Sequence, residues 1–248
     1  MAPRRQSSVR GPAVILRACR GRDPGRGARS AEPRRTAGHQ RPPTRLYLIT
    51  PVIQDARPFA ADLGSALDAT EVSAVLLRFA GEEEQQDLRE PVAILAPVVQ
   101  TRGIALLLDG RPELAGRLGA DGAHLTGADA LKRAIGSLKP QRIAGAGGLK
   151  TRHDAMIAAE SGADYVMFGE PDSAGQRPPF PAIIERVGWW AELFEPACVG
   201  YAATPEEVGR LAAAGADFVA VGDMVWKGDI AAAVRTAATA INPVETLE

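Results

Sequence analysis

The stretch Gly119-Ala120-Asp121-Gly122-Ala123-His124-Leu125-Thr126 runs a helix stop, a small-residue turn and a short apolar strand together in eight residues. The same punctuation returns at Gly162-Ala163-Asp164-Tyr165-Val166-Met167-Phe168-Gly169 and at Gly215-Ala216-Asp217-Phe218-Val219-Ala220-Val221. In each, glycine ends a helix and the apolar run re-enters a sheet. Working outward, short runs rich in Val, Ile, Leu and Ala read as strands buried on both faces. They are Leu46–Thr50, Ala74–Phe79, Ile104–Asp109, Gly122–Thr126, Arg142–Gly147, Tyr165–Gly169, Ala197–Tyr201 and Phe218–Gly222. Helix starts lie between them. Thr204-Pro205-Glu206-Glu207 supplies an N-cap, a first-turn proline and a capping-box acid, and Thr151-x-x-Asp154 and Thr126-x-x-Asp129 have the same form. Only Pro112–Leu118 is unusually short for a helix. Eight βα units in about 200 residues predict an α/β fold, a single (β/α)8 TIM barrel over residues 44–242. An open doubly wound sheet is the alternative. It calls for a Gly-rich turn after the first strand, and Thr50-Pro51-Val52-Ile53 has none.

Composition supports a folded domain with a separate leader. The 248 residues are 46% hydrophobic and 24% charged, with net charge −1, which excludes a wholly disordered, collagen-like or coiled-coil chain. No apolar run approaches the roughly 18 residues of a membrane span, so no membrane partner is expected. Cys19 and Cys198 form no CxxC or Cys/His pattern, which argues against a disulfide scaffold or structural zinc and for a reducing, cytoplasmic setting. Residues 1–43 hold eleven arginines, no lysine and only Asp23 and Glu32, a net +9 against −10 for the rest. A disordered Arg-rich N-terminal extension is the expectation for this segment. An Arg-rich organelle presequence and a nucleic-acid-binding arm are alternatives, but no aromatic residue is interleaved to stack on bases, so nucleic acid is not expected as a partner.

In a TIM barrel the chemistry sits after the strands, at their carboxyl ends. The second strand closes with Arg78, whose guanidinium suits phosphate or carboxylate, or equally a rim ion pair. The third ends in Asp109-Gly110-Arg111, an acid and a base together. Asp129, after the fourth, reads either as a helix N-terminal carboxylate or as a hard-cation ligand beside Asp109. His124, inside a strand, reads as a packed or hydrogen-bonded histidine rather than a base. Gly145-Ala146-Gly147-Gly148 with Lys150 forms an anion site or simply a flexible turn. Gly169 to Pro179 is a long polar loop of the functional or mobile kind. Gly222-Asp223-Met224 lies where barrels commonly place phosphate-binding amides.

With these residues in view, the chain from Arg45 to about Ile241 resembles the thiamine phosphate synthase family, which includes the thiazole tautomerases. The resemblance rests on Leu46-Tyr47-Leu48-Ile49-Thr50, Arg78, the Gly119–Leu125 stretch with Asp129, Gly162–Gly169 with Pro171, and Gly215–Val221. It implies a barrel that couples a pyrimidine-methyl diphosphate to a thiazole phosphate and releases pyrophosphate with magnesium bound. Small phosphorylated substrates are the partners it suggests, and a homo-oligomer is a separate expectation. On that resemblance, Arg78 and Arg177 would carry diphosphate charge and Asp109 and Asp129 would hold magnesium. Arg111, Lys150, Gly147 and Gly222 would contact phosphate.

Several family positions differ. Leu76 and Ala80 replace the Gln and Lys flanking the arginine, and Asp109-Gly110-Arg111 replaces Asn-Asp-Arg. Gly127 and Ala128 precede Asp129 in place of Gln-Glu, and Gly147 replaces a serine. Ala174-Gly175-Gln176-Arg177 keeps the charge of Thr-x-Thr-Lys but neither hydroxyl, and Ala202-Ala203 replaces a phosphate-binding Gly-Gly. Leu149 stands where a tautomerase would place histidine, with His153 further along. These differences leave a second expectation, a non-catalytic or repurposed paralogue that binds a small phosphorylated ligand.

Overall fold

Strands that are apolar on both faces can be covered only by helices outside and by their own side chains inside a closed sheet. The computed structural model, which describes residues 42–80 and 87–241, has this arrangement. Eight parallel strands run in chain order: β1 (Arg45–Ile53), β2 (Val72–Phe79), β3 (Ala105–Asp109), β4 (Gly122–Thr126), β5 (Ile143–Gly147), β6 (Tyr165–Phe168), β7 (Ala197–Ala202) and β8 (Phe218–Val221). β8 pairs back onto β1, from Arg45↔Phe218 to Leu48↔Val221, so the sheet closes and the open-sheet alternative falls away. The helices are α1 (Ala56–Ala69), α2 (Arg89–Gln100), α3 (Pro112–Arg117), α4 (Ala128–Leu138), α5 (Arg152–Glu160), α6 (Phe180–Leu193), α7 (Pro205–Ala213) and α8 (Ile230–Ile241).

Side chains alternate across each strand. Tyr47, Ile49, Leu76, Leu107, Tyr165, Met167, Val199 and Phe218 fill the barrel interior. Their neighbours Leu46, Leu48, Val75, Leu77, Leu106 and Val219 pack outward beneath the helices. β1 runs three residues beyond the expected end, with a register shift between Ile49 and Val52 against β2. Of residues 1–43, expected to form the N-terminal extension, 1–41 lie outside the described residues. Among the described residues no helix is long and apolar enough to cross a membrane.

The repeated Gly-Ala-Asp turns form one device used three times. Their glycines have positive φ, +74° at Gly119, +101° at Gly162 and +96° at Gly215. Each aspartate then clamps the preceding strand at two points. Asp121 donates its N–H to Leu106 O while its Oδ2 accepts from Leu106 N. Asp164 does the same with Ala144, and Asp217 with Cys198. These clamps lie at the amino ends of the strands, where barrels invest in stability rather than chemistry. Asp164 is 3% exposed and also pairs with Lys139. Asp164→Ala is therefore expected to cost about 2–4 kcal/mol by orphaning a buried amide and an ion-pair partner. Chemical denaturation should report this as a lower midpoint with unchanged slope.

Two helix starts differ from their reading. Thr126 belongs to β4, and α4 is capped by Gly127 at φ +91° with no side-chain cap. Thr151 and Asp154 do form the expected capping box on α5. Thr204 accepts from Glu207 N, but the Glu207 carboxylate does not close the box. It accepts from Ala203 N and from Arg177, whose charge attracts it more strongly than the cap amide.

Candidate active site

The carboxyl ends of the strands converge on a cavity of about 1010 Å³. Ile49, Leu76, Met167 and Leu149 give it an apolar floor, and Arg78, Asp109, Thr126, Lys150, Arg177 and Asp223 stand around it. One wall is the loop from Gly169 to Pro178. Asp172 organises this loop. Its Oδ1 accepts from the N–H groups of Ala174 and Gln176, both at 2.9 Å, and its own N–H donates to Gln176 O. The long polar loop after β6 is thus a folded wall of the cavity.

The cations around the cavity are not equally available. Arg78 is anchored through its backbone, Arg78 N donating to Thr50 Oγ1 at 3.0 Å. Its half-exposed guanidinium faces Asp109 at 3.6 Å, beyond a hydrogen bond. Lys150 is exposed; its carbonyl accepts from Arg186, while its ammonium meets no side chain among the described residues. Arg177 is committed to the protein. It donates to Glu207 at 2.8 Å and to the carbonyls of Gly169 and Tyr201 at 3.2 Å, and lies 5.7 Å from the Tyr201 ring centre. Burial raises the Tyr201 phenol above its usual range and Asp223 adds to this, while Arg177 and Arg78 oppose it.

A buried polar chain leads from the barrel centre into the same cavity. Tyr47 and Tyr165 share a hydroxyl hydrogen bond of 2.9 Å, and the Tyr165 hydroxyl meets His124 Nδ1 at 2.8 Å. The His124 ring stacks on Tyr165, 17° from parallel, and its Nε2 lies 3.8 Å from Glu170 Oε1. Glu170 Oε1 in turn accepts the N–H of Gly148. Burial pushes both tyrosine hydroxyls well above the ordinary phenol range, so both phenols keep their protons at working pH.

The expected site residues separate into three groups. Arg78, Asp109, Lys150 and Arg177 line the cavity. Gly147 and Gly222 stand behind the lining, with Gly148 and Asp223 taking the cavity positions. Gly147 is shaped by packing: a Cβ there would fall on the Glu170 carboxylate and 2.6 Å from His124 Nε2. The Gly148 amide, part of the expected anion turn, is already taken by Glu170, and the Ala203 amide by Glu207. Arg111 and Asp129 lie outside the lining. Arg111 caps α3, and Asp129 is exposed in the first turn of α4, the helix-terminal position of its two readings. Among the described residues no group of three or more His, Cys, Asp or Glu side chains is placed to hold a metal ion. His124 is packed and hydrogen-bonded as expected, and it also reaches the cavity; Glu170 was not singled out. A carboxylate directly after a strand-ending glycine is the signal that could have marked it.

The family model for thiamine monophosphate synthase matches residues 46–225. The thiamine-phosphate synthase of Rhodospirillum centenum is 41% identical over 190 residues, 73% of this chain and 89% of that protein. That of Hyphomonas neptunium is 38% identical over 204 residues, 79% of this chain and 92% of that protein. Among solved structures, a thiamine phosphate pyrophosphorylase from Pyrococcus furiosus superposes with a TM-score of 0.66 at 20% identity, covering 79% of this chain and 95% of that one. At that identity the likeness speaks for the barrel alone.

Proposed function

The chain belongs to the thiamine monophosphate synthase family, and on that footing we propose that it couples hydroxymethylpyrimidine diphosphate to thiazole phosphate, releasing pyrophosphate and forming thiamine phosphate. The observation that carries this reading is that Arg78 and Lys150 face one cavity with an apolar floor. In the reaction the carbon–oxygen bond to the diphosphate breaks, and its electron pair stays on the departing oxygen. The pyrimidine stabilises the resulting cation, and the thiazole nitrogen supplies the pair for the new carbon–nitrogen bond. No net proton transfer is needed. The protein must then neutralise the leaving group and keep water from the cation. Arg78 and Lys150 take the first task. Ile49, Leu76, Met167 and Leu149 serve the second.

Magnesium fits this site only as a companion of the diphosphate. Such ions are commonly held by one or two carboxylates together with substrate phosphates, and Asp109 is the expected ligand that reaches the cavity. Asp129 does not. Four basic and four acidic side chains line the cavity, so an incoming diphosphate meets little surplus positive charge. Magnesium held by Asp109 and phosphate oxygens would supply that charge.

A second reading, binding of a phosphorylated ligand without turnover, is favoured by the two amides already occupied by Glu170 and Glu207. One assay separates the two. The full chain with both precursors is expected to form thiamine phosphate and to lose that activity with EDTA. Saturable binding of thiamine phosphate by calorimetry, with no product above background, would replace the synthase reading with the binding one.

A further inference from the structure

The cavity holds a donor and an acceptor side by side, and the proton count along the buried chain decides which is which. Tyr47 is fully buried, and its hydroxyl meets only that of Tyr165 among the described residues. If His124 Nδ1 carried the proton and donated to Tyr165, the Tyr165 proton would pass to Tyr47. The Tyr47 proton would then have no acceptor, a costly orphan in the barrel core. The opposite order uses both phenolic protons: Tyr47 donates to Tyr165, and Tyr165 donates to Nδ1. The neutral imidazole then carries its proton on Nε2. That N–H points toward Glu170 across 3.8 Å, too far to be a hydrogen bond.

Glu170 is fixed from the other side. Its Oε1 accepts from Gly148 N, while Oε2 has no partner among the described residues. The side chains of His124 and Glu170 are only 5% and 18% exposed, yet both line the cavity. Gly147 leaves them room, since a Cβ there would lie on both. Stacking on Tyr165 fixes the imidazole plane. The arrangement is an N–H donor beside a carboxylate acceptor in one wall, with Nε2 and Oε2 without a hydrogen-bond partner among the described residues.

We propose that His124 and Glu170 read the aminopyrimidine edge of the pyrimidine substrate. Nε2–H donates to a ring nitrogen, and the Glu170 carboxylate accepts from the adjacent exocyclic amine. The inference rests on the synthase reading for its substrate. It adds that the Glu170 carboxylate is a specificity-determining group rather than a displaced phosphate mimic. A phosphate would be repelled by this carboxylate, whereas an amine finds its open oxygen. The pyrimidine therefore lies against β4–β6, with its diphosphate directed to Arg78.

Calorimetric titration of the full chain with the unphosphorylated hydroxymethyl aminopyrimidine and with its analogue lacking the amine tests this. The intact protein is expected to prefer the amine by about 10- to 100-fold, the value of a hydrogen bond to a charged group. Glu170→Ala should bring the two affinities within about twofold of one another, while leaving the affinity for thiazole phosphate unchanged. Glu170→Gln, which keeps the shape, should reduce the preference with an unchanged melting temperature, which guards against a folding artefact. An unchanged preference in both variants would overturn the inference, as would no preference, or no pyrimidine binding, in the intact protein. Preference without any product would leave the inference standing and remove the synthase reading. Product without preference would do the reverse.

Discussion

Arg78→Ala is expected to lower kcat/KM for thiamine phosphate formation by a factor of about 10² to 10³, the usual loss of one preorganised donor to developing charge. Arg78 is the guanidinium at the cavity held by the protein through its backbone and not through its charge. Its partner Asp109 stands at 3.6 Å, and both side chains are more than a third exposed. That pair contributes about 0–1 kcal/mol to stability, so the melting temperature should move little while activity collapses. Arg78→Lys should recover only part of the rate, because an ammonium keeps the charge but not the two-pronged contact with phosphate oxygens. Arg177→Ala should behave differently. Its guanidinium ties Glu207 to the carbonyls of Gly169 and Tyr201, so its loss should lower stability together with activity. Steady-state kinetics and thermal melts on the same preparations separate these patterns. If Arg78→Ala retained full kcat/KM, the assignment of diphosphate charge to this residue would be wrong.

Tyr165→Ala is expected to cost about 3–5 kcal/mol, the range for emptying a large core position. For a domain of this size that is a fall in Tm of roughly 10 °C. The ring is fully buried and meets Tyr47 edge-on at 5.9 Å. It also covers Gly145, whose missing Cβ makes room for it. Tyr165→Phe keeps the ring but strands the Tyr47 hydroxyl and His124 Nδ1, and should cost about 1–3 kcal/mol. The same pair predicts an alkaline limit. Burial holds both phenols above their usual range, so the native state keeps protons that the unfolded chain releases above pH about 10. Their contribution is complete below that pH and shrinks as pH rises further. Stability measured from pH 9 to 11 should fall more steeply in the intact protein than in Tyr165→Phe.

The barrel could be read because its signals are local. Two-sided apolar runs, Gly-Ala-Asp turns and caps such as Thr151 each act within a few residues, and the strands lie close to where those signals place them. Arg78 and Asp109 could be read for the same reason, since a residue closing a barrel strand is carried to the mouth. Asp129 and Glu170 show where such reading stops. Each lies just past a glycine in a positive-φ turn, Asp129 two residues after Gly127 at +91° and Glu170 directly after Gly169 at +96°. The first turn leaves Asp129 exposed at the start of α4. The second leaves Glu170 over β5, against Gly148 and His124.

Order along the chain was therefore enough for the closed ring, its helical jacket and the end at which polar groups gather, because periodicity and turn chemistry are short-range. Which of those groups meet depended on torsions at single glycines and on space left by absent side chains. Both are properties of strands distant in sequence, packed together. That is why Asp129, singled out from the sequence, stays outside the cavity, while Glu170, which was not, stands in its wall.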